Sequence, residues 1–302
     1  WATNVTKEHR TALEAIRAAG AEGVEIPILE GESAAYRELG RMLDDLGLKR
    51  TASMAFVTPD VNPVSDDPVR RQAAADSLRG MIACARELGA PLLCGPMYQA
   101  LGVFTGRGPT EAEKTRAADM LRGVAEEARQ AGVTLAMEPL NRFEAYLLNT
   151  LKDAAALTDR VGKANVGVLY DTFHAHIEEK DPAGAIRAHG RVIRHVHCSA
   201  NDRGIPGQDH IDWTGTFRAL HAAGYDGWLV IEAFGRALPG LAAATRVWRD
   251  LFDEASQVAR QGVPFVREAW RLAGENNKTR ISGCRPAGPR SRRDPPPSPP
   301  PS

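Results

Sequence analysis

Glu138 closes the apolar run Val133-Thr-Leu-Ala-Met, is followed by Pro139, and is joined six residues later by a second acid, Glu144. A carboxylate at the end of a buried strand is desolvated unless a cation or hydrogen bonds hold it, which is poor placement for stability and good placement for chemistry. Three later strand-like runs end in the same way. Residues 166–171 close on Asp171, with His174 three positions on; residues 192–198 carry His195 and His197, with Asn201, Asp202 and Arg203 following; residues 227–234 place Glu232 near their end. If these runs are strands sharing one rim, Glu138, Asp171, a histidine of the 192–198 run and Glu232 converge and offer three carboxylates and one imidazole. That set suits a divalent cation. With a single nitrogen it leans toward Mn²⁺ or Mg²⁺ over Zn²⁺, and Co²⁺ also fits. A structural zinc site wants more Cys and His, and Cys84, Cys94, Cys198 and Cys284 have no CxxC spacing.

The elements that must position these groups alternate with regularity. Helical periodicity over 5–19 runs into Gly20, and residues 23–29 read as a strand. Helix 33–46 leads to strand 48–56, helix 68–88 to strand 91–95, and helix 110–131 to strand 133–138; helix 150–161, strand 166–171, helix 181–190, strand 192–198, helix 213–223, strand 227–234 and helix 239–259 follow. Glycines 47, 89 and 132 stand where a helix C-terminus favours a left-handed residue. Seven strands, each followed by a helix, predict a parallel α/β sheet that closes as a (β/α)8 TIM barrel lacking most of its first strand. The alternative, an open doubly wound sheet, lacks its Gly-rich phosphate fingerprint. In this reading the barrel occupies residues 1–272, and 273–302, ending in Pro/Arg-rich sequence without apolar periodicity, form a disordered tail.

Bulk properties exclude several function classes. Lys plus Arg and Asp plus Glu number 38 each, so no net positive field recruits a nucleic acid. No apolar run approaches the roughly 18 residues of a membrane span, and the start lacks the pattern of a signal peptide. The sparse cysteines fit a reduced, cytoplasmic setting. The opening Trp1 in place of Met reads as a missing true beginning.

Taken together and in order, Glu138-Pro-Leu-Asn-Arg-Phe-Glu144, Asp171-Thr-Phe-His174, His195-Val-His197 with Asn201-Asp-Arg203-Gly-Ile-Pro-Gly207, and Tyr225-Asp-Gly-Trp-Leu-Val-Ile-Glu232 resemble the D-tagatose 3-epimerase family, also called D-psicose or allulose 3-epimerases, within the xylose isomerase-like sugar isomerases and epimerases. The resemblance implies that Glu138, Asp171, His197 and Glu232 bind the metal, with Mn²⁺ first among candidates, and that Glu138 and Glu232 are the acid/base pair. It implies that Glu144, His174 and Arg203 hold a small sugar, and that the protein is a homo-oligomer, dimer or tetramer. The implied reaction inverts C3 of a free keto-sugar by proton abstraction and return through a metal-bound enediolate.

Plainer readings stand beside these. Glu138 and Glu232 could be rim carboxylates in salt bridges, and Asp171 could be only the N-cap of the next segment. His195, two positions deeper than His197, points into the barrel as a hydrogen-bonded filler. Glu25, inside an early strand, supports the site or is an interior structural acid. Competing functions are an aldose–ketose or hydroxypyruvate-type isomerase moving a proton between C1 and C2, an endonuclease IV-like nuclease, which would demand a more His-rich mouth and a basic groove, and a non-catalytic sugar-binding protein.

Overall fold

Short apolar runs alternating with amphipathic stretches bury both kinds of surface when a parallel sheet is wrapped in helices. The computed structural model, which describes residues 2–29 and 32–282, has that form. Seven parallel strands pair in sequence order: β1 (Gly23–Pro27), β2 (Lys49–Ser53), β3 (Leu92–Gly95), β4 (Thr134–Met137), β5 (Val166–Asp171), β6 (Ile193–Cys198) and β7 (Leu229–Ile231). They form a nearly closed TIM barrel. Between β7 and β1 lies an apolar cleft of about 860 Å³, walled by Leu13, Val24, Leu229, Ile231, Val266 and Trp270.

The helices surround this sheet: α1 (Arg10–Ala18), α2 (Ser33–Asp45), α3 (Pro68–Leu88), α4 (Glu111–Gln130), α5 (Leu151–Val161), α6 (Thr172–Glu178), α7 (Pro182–His189), α8 (Trp213–Ala222) and α9 (Pro239–Thr245). A single turn, α10 (Ala255–Gln257), passes through a π-helical turn at Val258–Gly262 into α11 (Val263–Ser282). Their starts are chemically marked. Asp67 caps α3 ahead of Pro68, and Thr110 with Glu113 and Thr150 with Asp153 form capping boxes at α4 and α5. The buried stripe of α5, Ala154, Leu157 and Val161, has the spacing of one helix face.

Two boundaries differ from expectation. The helix expected over 239–259 stops at Thr245, where Arg246 takes a left-handed φ of 57° and donates its N–H to the carbonyl of Ala242. Residues 246–254 are irregular, and Val247, Trp248 and Leu251 line a surface cavity there. The last helix runs past Leu272 to Ser282; the remaining tail residues, 283–302, lie outside those described, as does Cys284. The other three cysteines are buried and free. Among the described residues no helix is long and apolar enough to cross a membrane.

Strand alternation divides the sheet residues into two sets. Ile26, Ala52, Leu93, Leu135, Met137, Tyr170 and Val196 face the helices in the main core, whereas Leu92, Cys94, Ala136 and Leu169 form a separate apolar cluster on the inner face. The same alternation turns Glu25, Thr51, Asp171, His195 and His197 inward. Polar groups therefore stack above an apolar floor.

Gly95 joins this framework to the first acid. Its φ is 131°, and a Cβ there would stand 2.0 Å from the carbonyl oxygen of Met54. Its own carbonyl accepts the backbone N–H of Glu138 at 3.0 Å. Gly95→Ala is therefore expected to destabilise the fold by about 2–4 kcal/mol, because both backbone strain and the β2–β3 contact oppose it. Denaturant unfolding measures this, and a midpoint equal to that of the unsubstituted chain would contradict the close approach.

Candidate functional site

Because the strands pair in sequence order, their C-terminal ends form one rim. Glu138 follows β4 directly, Asp171 is the last residue of β5, His197 lies in β6 opposite Asp171 in the sheet register, and Glu232 follows β7. One donor atom from each of the four lies within 4.8 Å of every other. From His197 Nδ1, the distances are 3.4 Å to Glu232 Oε1, 3.6 Å to Asp171 Oδ2 and 3.9 Å to Glu138 Oε1. Glu138, Asp171 and His197 are buried, and Glu232 is partly exposed.

Asp171 is an N-cap through one oxygen and leaves the other toward the cluster. Its Oδ1 caps α6, accepting the backbone N–H groups of Phe173 at 2.6 Å and His174 at 3.1 Å. Its Oδ2 is buried without a hydrogen bond, as is His197 Nδ1. Two orphaned polar atoms facing each other in a cluster of acids are costly unless something charged sits between them. Donors 2.0–2.2 Å from a common ion stand roughly 3–3.5 Å apart, so this cluster fits a divalent cation with small adjustments.

Without a cation the electrostatics are frustrated. Glu138 is pushed well above the usual carboxylate range, by burial first and then by the charge of Glu232. Burial works against ionisation of Asp171, yet contact with His197 and the charge of Arg203 outweigh it and hold Asp171 low. Burial also disfavours a charged His197, but Glu25 and Glu232 outweigh that and raise it well above the ordinary histidine value. A proton on His197 then stands among the carboxylates where a cation would compensate them.

Arg203 enters from the loop after β6 with a left-handed φ of 69°, an uncommon conformation for a residue with a side chain. Its guanidinium is buried, contacts Glu232 Oε2 through Nη1, and approaches His174 Nε2 at 3.1 Å and Glu144 Oε1 at 3.8 Å. It stacks 3.8 Å from the Phe173 ring centroid. His174, lowered first by burial and then by Arg203, is held neutral. The backbone N–H of Asn141 donates to its Nδ1 at 3.0 Å, while its Nε2, 3.6 Å from Glu138, faces the Arg203 guanidinium, so both ring nitrogens meet donors. Beside this group opens a cavity of about 370 Å³, lined by Asn141, Glu144, Phe173, Arg203, Val247 and Trp248. That volume lies within the roughly 300–1,000 Å³ of small-ligand pockets.

All seven residues singled out from sequence thus gather at one rim. Three neighbours had no assigned role. Asn141 ties the motif together, donating also from Nδ2 to Glu144 Oε1 at 2.8 Å; its place between the two acids of Glu138-Pro-Leu-Asn-Arg-Phe-Glu144 was the available signal. Phe173 supports Arg203, and Cys94 lies 3.3 Å from Glu25. His195 is the interior filler expected, its Nε2 2.8 Å from Glu25 Oε2. His210 meets His176 at 3.2 Å on the surface.

Comparison with known proteins places this architecture. A family model described as xylose isomerase-like TIM barrel matches residues 13–269. An L-ribulose 3-epimerase of Mesorhizobium japonicum is 32% identical over 267 residues, covering 88% of this chain and 89% of that protein. A ketose 3-epimerase of Arthrobacter globiformis is 29% identical over 262 residues, covering 86% and 90%. A solved structure of L-ribulose 3-epimerase superposes with a TM-score of 0.87 at 30% identity, covering 95% of this chain and 96% of that one.

Proposed function

We propose, from the premise that this chain belongs to the xylose isomerase-like TIM-barrel family, that it is a divalent-metal-dependent ketose 3-epimerase acting on a free keto-sugar. The observation that carries the reading is the placement of two glutamates, Glu138 after β4 and Glu232 after β7, on a rim they share with Asp171 and His197. Inverting a carbon through its proton needs a base on one face and an acid on the other. Two carboxylates from strands separated by β5 and β6 can flank one carbon.

Glu138, Asp171, His197 and Glu232 would hold the cation, with Mn²⁺ the first ion to supply. When bound it contributes Lewis-acid polarisation of the ketose oxygens, which acidifies the proton on C3. One glutamate then removes that proton, breaking C3–H, and the electron pair spreads over C3, C2 and O2 as an enediolate. The other glutamate returns a proton to C3 from the opposite side. His174 would help hold a substrate oxygen at the rim, and Arg203, beside it, opposes the negative charge that grows on O2. Glu144, fixed by Asn141, borders the cavity and accepts from a sugar hydroxyl. Phe173, Val247 and Trp248 give that cavity an apolar side that limits water.

Incubating the chain with Mn²⁺ and separate free ketoses such as fructose, tagatose and ribulose tests this directly by chromatography. The C3 epimer of at least one is the expected product. Formation of aldoses alone would assign the site to C1–C2 isomerisation, and no turnover of any ketose would overturn the enzyme reading.

A further inference from the structure

Glu25 lies on β1, deep in the barrel, and carries no role in the reaction as derived above. Its carboxylate is nonetheless met by four side chains. Its Oε2 faces three donors: Thr51 Oγ1 at 2.8 Å, His195 Nε2 at 2.8 Å and the Cys94 thiol at 3.3 Å. Sheet register places Thr51 beside it, since Glu25 and Thr51 are partners across β1 and β2. Three donors on one oxygen leave Oε1 to a single neighbour, His197 Nε2, at 2.8 Å. That contact crosses the barrel between strands that are not sheet neighbours.

An imidazole that gives its Nε2 proton to a carboxylate must present an unprotonated Nδ1 when neutral, and its ring can no longer rotate freely. Nδ1 of His197 is the atom that faces Glu138, Asp171 and Glu232. We propose that Glu25 is a positioning residue, clamped through Oε2 by Thr51, His195 and Cys94 so that Oε1 fixes the tautomer and ring plane with which His197 meets a divalent cation. This rests on the reading of the four rim residues as a cation site and adds a fifth group that acts through one of them. Glu25, Cys94, His195 and His197 are close enough to chelate an ion themselves. The donors already satisfy the Glu25 carboxylate, however, and the hydrogen-bonded arrangement needs no ion.

The test uses the full chain stripped by chelator and titrated calorimetrically with Co²⁺. Glu25→Gln keeps the side-chain size but removes the charge and allows either tautomer, so its Kd for Co²⁺ is expected to rise about 10–100-fold. Glu25→Asp, which keeps the charge but draws it back from Nε2, is expected to fall between Gln and the unsubstituted chain. Stoichiometry should remain one ion per chain. A second readout needs no variant: with diamagnetic Mg²⁺ bound, ¹⁵N-resolved histidine spectra should show His197 protonated at Nε2 and bare at Nδ1. Unchanged Co²⁺ affinity in Glu25→Gln, or a proton at Nδ1, would overturn the proposal. A second ion lost on Cys94→Ser would overturn it too, by making these residues ligands. If Asp171→Asn abolishes binding while Glu25→Gln does not, only the positioning role fails; if the unsubstituted chain binds no divalent cation, the cation-site reading itself fails.

Discussion

Glu232→Gln is expected to lower kcat by about 10³-fold while leaving the fold intact, because under the proposed mechanism the substitution deletes one of the two proton-transfer groups without changing side-chain volume. Glu232 is partly exposed and follows a short strand, so packing does not depend on its charge. Chemistry does. Its Oε2 contacts Arg203, and its Oε1 lies 3.4 Å from His197 Nδ1. A carboxamide can accept at one atom only and cannot take up a proton, so both proton transfer and part of the cation's charge balance are lost. The loss should appear in kcat more than in KM, since the substrate contacts proposed for Glu144, His174 and Arg203 would remain. The variant's rate of ketose conversion, measured beside its circular dichroism, checks both halves. Turnover within about threefold of the unsubstituted enzyme would remove Glu232 from the proton path.

Removing the cation is expected to have the other large effect. Treatment with chelator should abolish turnover, and Mn²⁺ at about 100 times its Kd should stabilise the apo chain by about 2.7 kcal/mol, since it binds the folded state alone. For a domain of this size that corresponds to a rise in Tm of about 5–10 °C. The direction with pH follows from the site. Glu138 and His197 are both displaced upward without a cation and carry protons that compete with it. Cation affinity should therefore strengthen as pH rises and weaken as it falls, with protons released on binding. Calorimetry in buffers of different ionisation enthalpy reads that release. Affinity independent of pH would contradict a site that includes His197.

Much of this site was legible because a parallel sheet in sequence order puts every strand's C-terminus on one rim, so that residues closing consecutive runs become neighbours without further information. Glu138, Asp171 and Glu232 follow from that rule, while the family resemblance singles out His197 from the two histidines of its strand. Alternation likewise turned His195 inward two positions below His197. What alternation does not encode is a partner. Glu25 and His197 are 172 positions apart, and the sequence says only that each faces inward, while the three donors that clamp Glu25 come from β2, β3 and β6. The short helix α6 escaped notice because its N-cap is Asp171, the last residue of β5, and its first turn carries His174. The opposite error arose over 239–259. Ala242 to Val258 contains enough apolar residues to read as one helix, but the left-handed turn at Arg246 diverts the chain so that Val247, Trp248 and Leu251 wall the cavity.

Which proton the protein moves distinguishes a 3-epimerase from its relatives more sharply than any variant. A ketose that the chain turns over, incubated in deuterium oxide with Mn²⁺ and followed by NMR, shows where solvent hydrogen enters the sugar. Deuterium at C3 of both substrate and product, appearing only when the cation is present, is the expected result if Glu138 and Glu232 flank that carbon as proposed and exchange their protons with solvent between turnovers. Deuterium at C1, or epimerisation at C3 without any solvent label, would contradict it.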